Sequence, residues 1–261
     1  MRPLFLLLAL CFSSLVQAGT FDHQHQAWTR LLQQHVSWLD QGHGSVVDYA
    51  ALQRESAALD RYLSMLSAVP LADYQRWQPE QRLAFLINAY NAFTLKLIVE
   101  HYPLDSIKAI GGLLSSPWKQ AFIPLLGQRL SLDPIEHGMI REPGVFDEPR
   151  IHFAVNCASV GCPALRDEAF VAGRLEEQLQ DSQKRFLSDH SRNRFDPTNQ
   201  RFQVSKIFDW YGEDFIQQWG SLEAYFQQHL TLLSPSASTL PPQGRVRIDY
   251  LDYDWNLNET C

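Results

Sequence analysis

Residues 78–103 read QPEQRLAFLINAYNAFTLKLIVEHYP, and no other stretch restricts the fold as tightly. Pro79 and Glu80 suit the first turn of a helix, and Pro103 limits its far end. Between them apolar side chains fall on nearly every face, so the helix must be enclosed by the rest of the chain rather than laid on its surface. Two carboxamides, Asn88 and Asn91, lie three residues apart within that apolar run and therefore on adjoining parts of one face. An unpaired buried amide costs roughly 1–3 kcal/mol, so each must be hydrogen-bonded. They serve either to tie the helix to the backbone of a neighbouring loop or to orient a catalytic or binding group.

Other segments are read from their periodicity. Phe21 to Asp40 places Trp28, Leu31, Leu32, His35 and Leu39 at helical spacing before QGHG breaks it. A second amphipathic helix is expected over Ala50 to Ser67. QRLSL alternates as an edge strand does, and Asp133-Pro134-Ile135-Glu136 has the N-cap, proline and third-position acid of a capped helix. His137 then falls near the positive end of that helix, which favours a neutral imidazole and its use as a base. IHFAVN alternates, so that as a strand it points His152 away from Cys157. A helix follows around 168–190, a strand joined to a helix around 201–220, and a terminal strand in RVRIDYLDYDWNLN. Helices dominate the first half and strands appear among helices later. The expected class is α+β, a helix-rich N-terminal half packed on a mainly antiparallel sheet, with a papain- or transglutaminase-like version as the specific expectation.

The first eighteen residues, MRPLFLLLALCFSSLVQA, carry an early cation, an apolar run and a signal-peptidase-like ending. They are read as a cleaved export signal, leaving residues 19–261 as one α+β domain of the periplasm or exterior. Removing Arg2 and no acid moves the formal charge from −7 to −8. That balance, without a basic patch, argues against nucleic acid or an anionic membrane as a partner. No later apolar run approaches the ~18 unbroken residues that announce a membrane span, so stable insertion is not expected. SPSASTLPPQG, residues 234–244, reads as a surface loop, and the early DHQH as solvated.

Five pieces now stand together in order: FLINAYNAFTLKLI, LSLDPIEHGMIR, RIHFAVNCASVGCPALR, VSKIFDWYGEDF and YLDYDWNLN. The chain resembles the domain-of-unknown-function 547 family over roughly Gln81 to Asn258. The family has no assigned reaction. The resemblance implies a polar constellation around a cysteine, drawing on Asn88, Tyr90, Asn91, Glu136, His137, His152, Asn156, Cys157, Ser159, Cys162, Pro163, Lys206, Trp210, Asp214, Tyr253, Asp254, Trp255 and Asn258.

Three readings of Cys157 and Cys162 stay open. In the first, Cys157 attacks an acyl carbon, His137 takes its proton, and Glu136, Asn88 or Asn91 orients the imidazole. Tyr90, His152, Asn156, Ser159, Lys206, Trp210 and Asp254 then line the site, and the substrate is a small or peptide-like molecule of the cell envelope. In the second, export supplies the oxidant for a Cys157–Cys162 disulfide that holds a binding loop, and the protein is a non-catalytic binding or interaction module. The third is a metal or redox site, although four intervening residues are loose for zinc and too many for a thioredoxin-like pair. No Gly-rich phosphate loop, serine elbow or HExxH pattern occurs, and no cofactor is expected.

Overall fold

A computed structural model describes residues 21–112, 115–235 and 246–260; the stretch read as an export signal, most of the Ser/Pro-rich stretch read as a surface loop, and Cys261 lie outside them. α1 (Gln26–His35) buries Trp28, Leu31, Leu32 and His35. It ends sooner than its spacing predicts, because β1 (Val36–Trp38) turns extended to pair antiparallel with β2 (Ser45–Val47). The expected second helix is two: α2 (Tyr49–Arg54), whose N-cap Asp48 accepts from the Ala51 amide at 2.8 Å, and α3 (Ala57–Ser67). After the short α4 (Leu71–Tyr74) comes α5 (Pro79–His101), opened by reciprocal hydrogen bonds between Gln78 and Gln81.

From Leu83 to Val99 every residue of α5 except Lys96 is buried. Side chains such as Phe85, Leu86 and Ile87, each 0% exposed, stabilise the fold by about 1.5–3 kcal/mol apiece relative to exposure. By length and composition α5 would pass as a membrane span, yet 89% of its most apolar window is buried inside the fold. It is the axis of the larger apolar core, to which α1, α2 and α3 also contribute.

β3 (Ile123–Leu125) and β4 (Gln128–Leu130) form a hairpin across Leu126 and Gly127, both with positive φ, as a two-residue hairpin turn requires. α6 (Leu132–Ile135) starts at the N-cap Ser131 rather than at Asp133 and passes into a π-helical turn over 136–140. The expected strand at IHFAVN is a 3-10 turn over 149–153, opened by Pro149 and capped by the Glu148 carboxylate on the Arg150 amide.

α7 (Leu175–Leu187) leads to β5 (Arg194–Asp196) and β6 (Arg201–Ser205). α8 (Ile207–Trp210), α9 (Gly212–Trp219), α10 (Leu222–Gln228) and α11 (Leu230–Leu233) precede β7 (Arg247–Leu251). β6 pairs antiparallel with β5 and parallel with β7, and the parallel pairing needs the long helical crossover between them. A second apolar core of Phe153, Phe186, Phe202, Phe208, Phe215 and Tyr225 packs here. The α+β class holds and pairing is mostly antiparallel, but the described strands form three small sheets rather than one.

Beyond β7 the chain returns across the molecule. Glu259 bridges to Val47 of β2, and Leu257 bridges to Ser159. The loop around 157–163 is thereby held between α5 on one side and the C-terminal segment on the other.

Candidate functional site

Asn88 and Asn91 take the plainer of their two roles. The Asn88 amide donates to the Phe170 carbonyl at 2.7 Å and accepts from the Phe170 N–H at 3.0 Å. Asn91 donates to the Ala154 carbonyl at 2.9 Å and accepts from the Asn156 N–H at 2.8 Å. Both ends of both amides are used on backbone, so neither orients an imidazole. Asn156 extends the chain of tethers: its Oδ1 accepts from the Ala158 N–H and its Nδ2 donates to the Pro163 carbonyl, each at 2.8 Å.

Cys157 and Cys162 form a disulfide across this loop, a state compatible with an oxidising compartment. Ala158 adopts a left-handed φ of 58° to make the turn. The Cys157 N–H donates to Cys162 Sγ at 2.9 Å, and the Tyr253 hydroxyl stands 3.2 Å from both sulfurs. On the outer side, Val160 and Gly161 donate from their backbones to the Asn256 and Asp254 carbonyls, each at 2.8 Å. A Cβ on Gly161 would stand 2.9 Å from the Asp254 oxygen, so only glycine fits this approach.

The disulfide loop separates two cavities. The smaller, about 260 Å³, is lined by Tyr90, Glu136, His137, His152, Cys157, Cys162, Pro163, Trp210, Tyr253 and Trp255 from the expected set, together with Trp118, Asp133 and Tyr211. The larger groove, about 610 Å³, takes Asn156, Ser159 and Asp254, and shares Cys162, Pro163 and Tyr253 with the first. Ser159 is buried with its hydroxyl 3.4 Å from the Cys157 carbonyl. The Asp254 carboxylate accepts from the Asn256 N–H in a local turn. Lys206 is the N-cap residue of α8 and lines neither cavity.

The two histidines are placed differently from expectation, although both line the smaller cavity. His137 is exposed on the π-helical turn, and its Nδ1 accepts from Arg141 Nη1 at 2.7 Å. His152, only 3% exposed, lines the same cavity as Cys157, because a 3-10 turn does not alternate its side chains as a strand does. Its Nε2 lies 2.7 Å from Asp214 Oδ2, while Arg141 grips the same carboxylate through Nε at 2.6 Å and Nη2 at 2.8 Å. Burial disfavours ionised Asp214, but the hydrogen bonds from Arg141 and His152 outweigh it and hold the acid well below the usual carboxylate range. An ionised carboxylate only accepts, so His152 carries its proton on Nε2 and leaves a lone pair on Nδ1, which has no hydrogen-bond partner. Burial keeps the imidazole neutral, lowering its pKa against the pull of Asp214. Tyr211 stacks on the ring at 4.0 Å and fixes its plane.

Glu136 stands at the C-terminal end of α6 and takes no part in capping its start. It is 5% exposed, and burial followed by the Glu136 charge drives the hydroxyl pKa values of both Tyr90 and Tyr211 upward. Around the mouth, Tyr253 lies 4.9 Å from Trp210 and 4.6 Å from Trp255, ring centre to ring centre. Among the described residues no three His, Cys, Asp or Glu side chains cluster as metal donors.

Residues 74–187 match the family described as protein of unknown function, DUF547. This segment belongs to the DUF547 family. That segment contributes α5, the Glu136-His137 turn, His152 and both cysteines, whereas Trp210, Tyr211, Tyr253 and Trp255 complete the cavity from beyond it, as does the Asp214 that meets His152. No curated protein and no solved structure matches the chain. Residue-by-residue reading of the DUF547 motifs named Asp214 without giving it a role, and passed over Arg141, Tyr211 and Trp118. Local sequence gives no sign that Arg141 meets Asp214 seventy-three residues away.

Proposed function

We infer that this chain is a thiol-dependent acyl hydrolase or acyltransferase of an exported, periplasmic or secreted location, acting on a peptide-like or small-molecule amide or thioester. Cys157 is the nucleophile, His152 the base and Asp214 the carboxylate that positions it, in place of the His137 pairing expected from sequence. The observation that carries the reading is the meeting of Cys157 and a neutral, carboxylate-anchored imidazole on one small cavity.

The Cys157–Cys162 disulfide is the latent form. A dithiol reductant supplies two electrons and two protons, becoming a disulfide itself and leaving two thiols. Cys157 then passes its proton to His152 Nδ1 as Sγ bonds to the acyl carbon. The amine or thiol leaving group takes that proton from His152 as the acyl bond breaks, and water or a second nucleophile, deprotonated in turn by His152, releases the acyl group. Departure of Cys162 also frees the Cys157 N–H, which now donates to its sulfur, to meet the oxyanion.

The test is alkylation of Cys157 by iodoacetamide after dithiol reduction, followed by mass spectrometry across pH 5–9. The thiol reading expects alkylation to begin well below the ordinary thiol pKa of about 8.5, and the His152→Gln variant to restore the ordinary profile. Ordinary profiles in both proteins would refute it. They would favour the second reading, a binding module stapled by its disulfide, for which the dense backbone tethering by Asn91 and Asn156 speaks.

A further inference from the structure

The small cavity pairs an acid with aromatic walls. Glu136 is 5% exposed, and among the described residues it forms no ion pair. The neighbouring cation, Arg141, is committed to Asp214 in a two-pronged pair and lies over the Tyr211 ring at 4.9 Å. A buried carboxylate is costly unless it is partnered, and the neighbours that hydrogen-bond Glu136 are the neutral hydroxyls of Tyr90 and Tyr211. The remaining walls are the faces and edges of Tyr90, Trp118, Trp210, Tyr211, Tyr253 and Trp255. One of these rings already accepts a cation elsewhere on its surface, since Lys108 Nζ lies 3.7 Å from the Trp255 centroid.

Metal ions prefer several oxygen donors, whereas aromatic faces beside one carboxylate suit an alkylated ammonium, whose charge is diffuse and whose carbons gain from burial. A volume of about 260 Å³ falls below the usual range for drug-sized ligands, so the cavity holds one headgroup rather than a whole substrate. We propose that this cavity is the recognition site for an organic ammonium group, whose counter-ion is Glu136 and whose cage is formed by the surrounding tryptophans and tyrosines. Taken with the acyl chemistry inferred above, on which this substrate assignment rests, the substrate is an acyl compound carrying an amine close to the scissile carbonyl. Asp133 on the rim adds attraction for the same charge.

Binding is separable from chemistry because the oxidised full chain has no free Cys157 thiol. Calorimetric titration of that oxidised protein with n-propylammonium, n-butanol and propionate at fixed ionic strength is the test. The ammonium is expected to bind saturably with a dissociation constant on the order of millimolar, as a fragment of four heavy atoms allows. Butanol and propionate should bind at least about tenfold more weakly. Glu136→Gln should cost at least about tenfold in ammonium affinity. Trp210→Leu, at a position 43% exposed and so tolerant of change, should cost severalfold and decides the matter if Glu136→Gln fails to fold. Equal binding of ammonium and butanol, no ammonium binding up to about 50 mM, or wild-type affinity in the variants would overturn the proposal. Any of these would leave the alkylation test of Cys157 standing on its own.

Discussion

Acid should destabilise this fold through His25, which sits in a segment, DHQH, that looks solvated in the sequence. The ring is 1% exposed, packs 5.2 Å from Phe21 and shares a 2.7 Å hydrogen bond through Nδ1 with the Tyr62 hydroxyl, while Nε2 has no partner. Burial, opposed by the charge of Asp22, lowers its pKa to about 4 from 6.5. Between those values the unfolded chain takes up a proton that the native ring refuses. Stability therefore rises with pH through this window and is lost as pH falls through it. The loss from this one group is about 1.4 kcal/mol at pH 5.5 and about 2.5 kcal/mol at pH 4.5, relative to pH 7.5. Urea unfolding followed by tryptophan fluorescence at the three pH values, on wild type and His25→Asn, measures it. Asparagine tolerates the left-handed φ of 47° at this position, and the difference between the two proteins removes the contributions of His152 and His229, which burial also keeps neutral. The gap between the two stability curves should change by about 2.5 kcal/mol from pH 7.5 to 4.5. Curves that stay parallel within about 0.5 kcal/mol would show that the ring is free to ionise in the native state.

Asn91→Leu strands the Ala154 carbonyl and the Asn156 N–H in a buried place, and should cost about 2–4 kcal/mol by urea unfolding. Lys96→Met removes the pairs with Asp60 at 2.8 Å and Glu100 at 3.3 Å; since both acids are almost half exposed, the loss should stay under about 1 kcal/mol, and a larger one would mean that this pair, rather than apolar burial, holds α5 to α3. Gly161→Ala drives a methyl against the Asp254 backbone, and should lower stability by about 1–3 kcal/mol while loosening the hydrogen-exchange protection of Gly161 and Val160; unchanged protection would show that the C-terminal segment yields freely.

What was legible in the sequence follows from how many physical solutions each segment leaves open. An all-round apolar run of that length has one soluble solution, enclosure, and α5 takes it. IHFAVN left two, and the alternation chose wrongly. Ile151, His152, Phe153 and Ala154 are all buried, so no face is solvated, and period-two patterning carries no information where both faces are covered. Pro149, preceded by the capping Glu148, was the better signal for a 3-10 turn. Glu136 was read into a helix cap because capping residues obey short-range rules, yet the helix starts two residues before Asp133 is in position to serve. Family motifs named most of the residues that line the two cavities. They could not distribute those residues between two cavities, because the division is made by a loop whose path depends on Asn91, Gly161 and the returning C-terminal segment.

The same tethers determine what reduction of the disulfide would do. By loop-closure entropy a six-residue ring stabilises the fold by only about 2 kcal/mol. The loop keeps independent anchors on both sides when the S–S bond opens: Asn91 to the Asn156 N–H, Asn156 to Ala158 and Pro163, Val160 and Gly161 to the C-terminal segment, and Arg192 Nη1 to the Cys162 carbonyl at 2.6 Å. A bond that merely stapled the loop would be redundant among so many contacts. The redundancy has a consequence for chemistry, because it lets Sγ of Cys157 become free while the backbone that aims it stays in place. Reduction should therefore leave the protection of the Val160 and Gly161 amides nearly unchanged, and exchange that collapses across residues 156–163 on reduction would show instead that the disulfide is what holds the site together.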